Sequence, residues 1–240
     1  MEDIIINCDL GENESAERSE RLMALVGAAN ICCGVHAGSA AKTRATLALA
    51  KRYGVQVGAH PGLAAAGGRG ADLPSAVAFA ELLETQVGGF LQLAKKEGVR
   101  VRYVKLHGSL YHAVEKEPML AAEMIEYIQS LDVELGLFAL AGGVVAKDAR
   151  ASGLKVWEEL FADRGYLADG NLIPRGSLGA LIEEVDVAAA RLVEWRASGK
   201  IATTGAPIVL DGQTVCVHSD SPNSLELLEE LRKRLPSASK

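Results

Sequence analysis

The segment VRYVKLHGS, residues 101–109, contains the pattern that decides the fold. A short apolar run reaches a histidine, and small residues follow at once. The same change occurs at one aspartate and at further histidines, in the segments IIINCDLGE (4–12), NICCGVHAG (30–38), VQVGAHPG (55–62) and TVCVHSDSP (214–222). Runs that are apolar without strict alternation are typical of strands that are buried on both faces of a parallel sheet.

Such strand-like runs alternate with longer helical patterns along nearly the whole chain. We predict strands near residues 3–8, 29–33, 55–59, 101–106, 134–138, 154–157 and 213–217. We predict helices near residues 17–26, 40–53, 74–97, 117–130, 142–152, 186–198 and 222–234. This βα repeat predicts an α/β fold whose seven parallel strands form a barrel or a strongly curved sheet. We expect a single domain over residues 1–240, because α/β barrels of about this length are commonly one domain.

The composition limits the classes of partner. Lys and Arg total 25 against 31 Asp and Glu, so the net charge is -6, and no long basic stretch is present. We therefore expect no nucleic-acid partner. No apolar stretch reaches the length of a membrane span and the N-terminus lacks a signal-peptide pattern, so we expect a soluble, cytoplasmic protein with no membrane contact. Reduced, buried thiols are the favoured interpretation of Cys8, Cys32, Cys33 and Cys216.

The polar residues that follow the strands should meet on one face of the fold. In a parallel α/β sheet, the loops after the strands all lie at the carboxyl ends of the strands. Five strands therefore supply one predicted cluster, which consists of Asp9, His36, His60, His107 and His218. The remaining histidine, His112, falls in a loop or helical turn, and we interpret it as a surface residue.

Two kinds of chemistry suit an aspartate with several imidazoles. These groups can bind a divalent transition metal, or they can act as general acid and base without a metal, because imidazole titrates near neutral pH. No compact zinc motif such as HExxH is present, and the sequence leaves both alternatives open. The candidate metal ligands are Asp9, His36, His60 and His107.

Two charged residues extend this candidate site. Glu12 could orient an imidazole or carry a proton, or it could simply cap the following segment. Lys105 lies two positions before His107 and so on the same side of the strand. In the barrel interior its ammonium group would need a carboxylate or an anionic substrate as a partner, whereas at the rim it would reach water.

Two long connections interrupt the repeat. Residues 59–70 are rich in glycine and alanine, and we expect a mobile loop over the strand ends. Residues 161–182 carry Asp163, Arg164 and Arg175, and the planar guanidinium groups suit an acidic ligand. The alternative is an ion pair between Asp163 and one of the arginines that only stiffens this loop.

A further carboxylate, Asp220, follows His218 by two residues. It could orient the imidazole of His218, or it could cap the last predicted helix. We favour the cap.

Six motifs together resemble one known family. They are NCDLGE (7–12), GAANICCGVHAG (27–38), GAHPG (58–62), VKLHGSLY (104–111), ELFADRGYLADGNLIPR (159–175) and CVHSDSP (216–222). In order and spacing they are similar to motifs of the LamB/YcsF family, whose members are named as the A subunit of 5-oxoprolinase. The resemblance covers residues 4–234.

This resemblance implies a seven-stranded (βα) barrel similar to the glycoside hydrolase/deacetylase superfamily. It also implies a cytoplasmic protein that works with the B and C subunits of 5-oxoprolinase to hydrolyse the lactam ring of 5-oxoproline to L-glutamate, with ATP converted to ADP and phosphate. By the same resemblance the catalytic residues would be Asp9, Glu12, His36, His60, Lys105 and His107. The substrate-binding residues would be Asp163, Arg164, Arg175, His218 and Asp220.

Three departures from the family pattern bear on the substrate. Ser39 stands where the family usually has an aspartate, Ser219 stands where it has a glycine, and the loop after GAHPG is shortened and keeps only Arg69. The chain also lacks a GxxxxGK[ST] loop, which indicates that the partner subunits carry most of the ATP-dependent step. The alternatives are a metal-dependent deacetylase or carbohydrate hydrolase of the same fold, and a non-catalytic regulatory subunit.

Overall fold

The computed structural model describes residues 3–70 and 72–235. Its strands are β1 Ile5–Leu10, β2 Ala28–Cys32, β3 Gln56–His60, β4 Val101–Val104, β5 Gly136–Leu140, β6 Val156–Phe161, β7 Lys200–Ile201, β8 Ile208–Val209 and β9 Thr214–Val217. Strands β1 to β6 and β9 are parallel neighbours, and β9 pairs with β1 to close a barrel. The predicted α/β fold with a seven-stranded barrel is therefore confirmed.

Helices surround the barrel and connect its strands. They are α1 Ala16–Leu25, α2 Ala40–Tyr53, α3 Ala76–Leu83, α4 Gly89–Glu97, α5 Gly108–Ala113, α6 Pro118–Ser130, α7 Val144–Ala151, α8 Val185–Ser198 and α9 Ser224–Arg234. The side chains of Ser15, Ser39 and Ser75 accept a backbone N–H at the starts of α1, α2 and α3. Each of these caps satisfies a donor that the helix leaves free. No helix of the described ranges is long and apolar enough to cross a bilayer.

The barrel is buried on both sides, which explains its apolar strands. All residues of β2 and β5 are buried, with side chains alternately in the barrel interior and under the helices. Leu22 and Met23 of α1 and Leu47 of α2 are fully buried against the outside of the barrel. Burial of each such side chain stabilises the fold by roughly 1.5–3 kcal/mol. The four cysteines are free thiols, as predicted, although Cys33 is only half-buried.

Several element boundaries differ from the prediction. Strand β6 runs to Phe161, whereas the sequence pattern predicts its end at residue 157. The predicted helix 74–97 is divided by a π-helical segment, Glu84–Gly88. The short strands β7 and β8 are not predicted, and α5 is the helical turn that the sequence left open as an alternative around His112.

The π-helical segment has a structural consequence at the rim of the barrel. The side chain of Gln86 accepts a hydrogen bond from the Gly62 N–H at 3.0 Å and donates one to the Gly62 carbonyl at 2.8 Å. The wider turn thus holds the start of the loop that follows β3.

Candidate active site at the carboxyl ends of the strands

The polar residues that follow the strands do lie at one rim. Asp9 lies near the end of β1, His60 ends β3 and His218 directly follows β9. His36 and His107 lie in the loops after β2 and β4. Two cavities of about 430 and 500 Å³ open at this rim, and His107 lines both of them. The predicted convergence of these five residues is therefore observed.

Three of the imidazoles form a cluster with one carboxylate, which we call the imidazole cluster: Glu12, His36, His60 and His107. Glu12 Oε1 lies 3.3 Å from His36 Nε2, 3.3 Å from His107 Nδ1 and 3.8 Å from His60 Nε2. His60 Nε2 and His107 Nδ1 are 2.9 Å apart. Their ligand atoms all lie within 4.8 Å of one another, so this group could hold a metal ion.

The carboxylate of this cluster is Glu12, whereas the sequence analysis assigned Asp9 to the candidate metal ligands. Gly11 adopts a left-handed conformation (φ 79°) and turns the chain directly after β1, which brings Glu12 over the imidazoles. Asp9 Oδ1 lies 3.6 Å from His60 Nε2, but Asp9 groups with Cys216 and His218 and not with His36 and His107. Glu12 does not cap α1, since Ser15 does.

Protonation in the cluster is set by burial and by Glu12. Burial holds the pKa of His60 well below its usual value and also lowers the pKa of His107. Burial opposes the charged form of His36 as well, but its contacts with Cys32 and with the Glu12 carboxylate raise its pKa to about 9. Of the three rings, His36 is therefore the one that is protonated most readily.

Lys105 lies in the barrel interior and not at the rim. Its ammonium group lies 3.0 Å from each of Asp9 Oδ1, Glu159 Oε1 and Cys216 Sγ. Burial opposes ionisation of both Lys105 and Asp9, yet their mutual attraction raises the pKa of Lys105 and lowers that of Asp9, each well beyond its usual value. Of the two predicted alternatives, the interior lysine with a carboxylate partner is the one observed.

Glu159 is a member of this site that the sequence analysis did not include. It is fully buried, and burial raises its pKa while Lys105 lowers it. Glu159 lies in the segment VWEELF, two residues beyond the predicted strand end at residue 157, so the pattern of polar residues that follow strand ends does not single it out.

An amide network lies below Lys105 in the barrel. Asn7 donates to Glu159 Oε1 at 2.9 Å and Asn30 donates to Asp9 Oδ1 at 2.8 Å. Asn30 also donates to Asn7 Oδ1 at 2.7 Å, and the Tyr103 hydroxyl donates to Asn30 Oδ1 at 2.7 Å. We call this group the floor network: Asn7, Asp9, Asn30, Tyr103, Lys105 and Glu159.

Asp163 orients His218. The His218 Nδ1 lies 2.9 Å from Asp163 Oδ1, and the hydroxyl of Ser221 also donates to this carboxylate. Burial disfavours the charged carboxylate, but His218 and Ser221 lower the pKa of Asp163 to about 2. Because a carboxylate only accepts, Nδ1 carries the hydrogen and Nε2 remains a free acceptor in the neutral ring. The predicted alternative of an ion pair between Asp163 and an arginine is not what the structure shows.

Asp220 has neither of the roles considered for it. Its carboxylate lies 3.1 Å from Arg69 and 3.7 Å from Arg175, on the exposed side of the rim. The N-cap of α9 is Asn223, which makes no side-chain cap hydrogen bond. The favoured cap interpretation is therefore wrong, and Asp163, not Asp220, orients His218.

Arg164 and Arg175 both line the cavity of about 430 Å³. Arg164 is buried, and it donates to the carbonyls of Ala180 at 3.0 Å and Ile173 at 2.6 Å, so it ties the long loop together. Burial and the charge of Arg175 lower the pKa of Arg164 to about 10. Arg175 Nη2 is buried and has no hydrogen-bond partner among the residues that the structure describes. This pair of cations is suited to an anionic group of a ligand.

His112 lines the same cavity and is half-buried, so its interpretation as a surface residue is wrong. Burial and the charge of Arg164 lower its pKa to about 4, which keeps the ring neutral. His112 lies in the short helix α5, and because six residues show too little periodicity, the sequence leaves a loop and a helical turn as alternatives there.

The chain is similar to known proteins over nearly its whole length. A model of the LamB/YcsF family matches residues 4–240. The chain belongs to the LamB/YcsF family. A relative from Pyrococcus abyssi, named as the A subunit of 5-oxoprolinase, is 42% identical over 96% of this chain and 92% of its own length. A relative of the same name from Bordetella pertussis is 37% identical over 97% of this chain and 94% of its own length.

Solved structures agree with this assignment of the LamB/YcsF chain. The lactam utilization protein from Thermus thermophilus superposes with a TM-score of 0.88 and 32% identity, covering 98% of this chain and 96% of that one. A family 4 carbohydrate esterase from Streptomyces lividans superposes with a TM-score of 0.52 and 11% identity, covering 98% and 88%. The second likeness concerns the fold alone, and it fits the predicted deacetylase-like barrel.

Proposed function

We propose that this chain is the A subunit of an ATP-dependent 5-oxoprolinase and hydrolyses the lactam ring of 5-oxoproline to L-glutamate. The names of the Pyrococcus and Bordetella relatives and of the Thermus structure support a lactam as the substrate. The observation that carries the proposal is the cavity of about 430 Å³, whose wall combines two arginines with imidazoles, Asp9 and Lys105.

The two arginines would bind the substrate carboxylate. Arg164 is held rigidly by two backbone carbonyls, and Arg175 offers a buried N–H group without a partner among the described residues. Charge-assisted hydrogen bonds to a carboxylate are stronger than neutral ones and fix its orientation.

The proton transfer would be carried out by His218. Asp163 holds the Nδ1 hydrogen, so Nε2 can take a proton from water and pass it to the ring nitrogen as the amide bond breaks. The imidazole cluster faces the same cavity through His60 and His107. Its members can take part as free bases or as ligands of a divalent ion.

The ATP-dependent step is assigned to the partner B and C subunits. A lactam amide is stabilised by resonance and its ring recloses easily, so opening needs an activated carbonyl and a source of free energy. The sequence contains no GxxxxGK[ST] loop for the phosphates of ATP. The complex would act in the cytoplasm.

Reconstitution tests this division of labour. The isolated chain with 5-oxoproline and ATP should release no glutamate, and glutamate and ADP should appear once the B and C subunits are added. Turnover by the chain alone would contradict the division, and acetate release from acetylated sugars would favour the deacetylase alternative. Full activity of a complex that contains Asp9→Ala or His107→Ala would favour a non-catalytic subunit.

A matched pair of variants tests the role of His218. In the reconstituted complex, His218→Gln should lower the rate of glutamate release by roughly 10²–10⁴-fold, which is the usual contribution of a general base. His112→Gln changes the same residue type at the wall of the same cavity and should lower the rate far less, because none of the carboxylates that the structure describes orients that ring. Equal losses for the two variants would contradict the role of His218.

A further inference from the structure

We propose that the imidazole cluster is a binding site for one divalent transition-metal ion of the zinc type, with Glu12, His36, His60 and His107 as ligands. The proposal begins from the hydrogens on the rings. His60 Nδ1 lies 2.7 Å from the Lys105 carbonyl, and His107 Nε2 lies 2.9 Å from the Gly67 carbonyl. A carbonyl only accepts, so both of these nitrogens carry hydrogen.

The two remaining nitrogens face each other. His60 Nε2 and His107 Nδ1 are 2.9 Å apart, and in neutral rings both carry only a lone pair. Two lone pairs at this distance repel each other unless a positive species lies between or beside them. The contact therefore requires an added proton or a metal ion.

His36 brings a third ring nitrogen to the same carboxylate. The Cys32 thiol donates to the Ala37 carbonyl at 3.0 Å, so its sulfur is an acceptor for His36 Nδ1 at 3.9 Å. The hydrogen that joins His36 Nε2 to Glu12 Oε1, 3.3 Å apart, is the proton that a metal ion would displace, which leaves Nε2 with a lone pair beside the carboxylate. Three imidazole nitrogens and one carboxylate oxygen thus lie close together, and because the rings of His36 and His107 are stacked within 8° of parallel, one of them must turn for both lone pairs to point at one ion.

Protons added to the rings would satisfy the nitrogens and the carboxylate of the imidazole cluster less well than one metal ion would. One proton could fill the contact between His60 and His107, and another could join His36 to Glu12. Two protons on His36 and His107 would place two charged rings in a stack whose centroids are 4.0 Å apart. A divalent ion adds the same charge at a single point and contacts all four ligand atoms.

The spacing of the ligand atoms fits such an ion. A tetrahedral ion with ligands at about 2.0–2.2 Å keeps them roughly 3.3–3.6 Å apart. Glu12 Oε1 lies 3.3, 3.3 and 3.8 Å from the nitrogens of His36, His107 and His60, and the contact between His60 and His107 is shorter at 2.9 Å. Each ring also donates its other N–H to a fixed acceptor, which is the usual arrangement around metal-bound histidine.

Two glycines hold the rings in place. A Cβ atom at Gly62 would lie 2.6 Å from His36 Nδ1, and a Cβ atom at Gly68 would lie 2.3 Å from His107 Cδ2. Any side chain at these positions would displace a ligand. The ligand set of neutral imidazoles with one carboxylate favours zinc-type ions over Mg²⁺ and Ca²⁺, which prefer oxygen ligands.

Metal binding can be measured without any lactam assay, so its failure is distinct from a failure of the proposed function. The full chain, freed of metal with a chelator, is titrated with ZnCl₂, CoCl₂ and MgCl₂ by calorimetry, and bound metal is counted by mass spectrometry. We expect about one equivalent of Zn²⁺ or Co²⁺ and the visible absorption bands of four-coordinate Co²⁺, with no binding of Mg²⁺.

Variants identify the ligands. Glu12→Gln and His107→Gln should weaken Zn²⁺ binding at least about 100-fold, beyond the loss of roughly 10–100-fold that removal of an outer hydrogen-bond partner causes. Cys32→Ala should weaken Zn²⁺ binding by no more than roughly 10–100-fold. His112→Gln should bind Zn²⁺ as tightly as the natural chain does. Circular dichroism confirms folding of each variant. A folded natural chain that binds neither ion, or ligand variants that bind equally well, would overturn the proposal.

Discussion

The floor network and the imidazole cluster are neighbours in one barrel, yet their polar atoms are satisfied in different ways. In the floor network, Lys105 contacts two carboxylates, and the amides of Asn7 and Asn30 donate to oxygen atoms of the network. In the imidazole cluster, His60 Nε2 and His107 Nδ1 face each other as acceptors. The floor network is almost complete within the chain, whereas the acceptors of the imidazole cluster need an added proton or a metal ion.

This difference separates residues that hold the site from residues that contact a ligand. Groups whose partners all belong to the chain stabilise the fold and fix neighbouring side chains. Groups that their neighbours do not satisfy indicate where a ligand binds. They are the facing acceptors of His60 and His107, and Nη2 of Arg175, which has no partner among the described residues. Variants in the first set should therefore affect folding, and variants in the second should affect binding.

The largest effect is expected in the floor network. Lys105→Met removes the positive charge between Asp9 and Glu159 and leaves two buried carboxylates that repel each other. We expect a loss of about 3–5 kcal/mol in the free energy of unfolding, measured by urea denaturation. Lys96→Met, at an exposed position of α4, is the control and should change stability little. A Lys105→Met variant as stable as the control would contradict the structural role of the floor network.

The next effect concerns binding at the arginines of the cavity. Arg175→Gln removes a charge-assisted hydrogen bond to the substrate carboxylate and should cost about 1.5–3 kcal/mol of binding, which corresponds to a KM raised by roughly 10–100-fold. Stability should hardly change, because Arg175 is partly exposed. Arg100→Gln, an exposed residue whose nearest carboxylate lies 3.8 Å away, is the control. An unchanged KM together with a lowered free energy of unfolding would show that Arg175 stabilises the fold and does not bind the substrate.

A smaller effect is expected from the carboxylate that orients His218. The pKa of Asp163 is lowered to about 2 from a reference of 3.8, so its charged form contributes about 2 kcal/mol of stability. Because the folded-state pKa is the lower one, this contribution is complete above about pH 4 and disappears as the pH falls through about 2. In Asp163→Asn, the acid-dependent loss of stability should be smaller by that amount. Asp132→Asn, at an exposed position, should retain the pH dependence of the natural chain.

The smallest effect is expected at Ser39, one of the departures from the family pattern. Its side chain accepts the Lys42 N–H at 3.2 Å and caps α2. Ser39→Ala should lower the free energy of unfolding by about 1 kcal/mol, whereas Ser39→Asp should stay within a few tenths, since both serine and aspartate are good caps. A loss in Ser39→Asp as large as in Ser39→Ala would show that the position does not act as a helix cap.

The sequence predicts the site residues that lie directly at or after the ends of the strands. Positions such as His60 and His218 are fixed by the rule that loops after parallel strands share one face, and no tertiary detail is needed to find them. Glu159 was missed because its assignment depended on a strand boundary, which local patterns define poorly. The choice of Glu12 as the carboxylate beside the imidazoles depends on the left-handed turn at Gly11, which only the folded chain reveals.

Anomalous X-ray diffraction at the zinc absorption edge, from crystals of the full chain grown with ZnCl₂, tests the imidazole cluster most directly. A single strong peak should lie about 2.0–2.2 Å from Glu12, His36, His60 and His107. Crystals that show no peak at this position, with the three rings turned away from one another, would contradict a metal site and the convergence on which it depends.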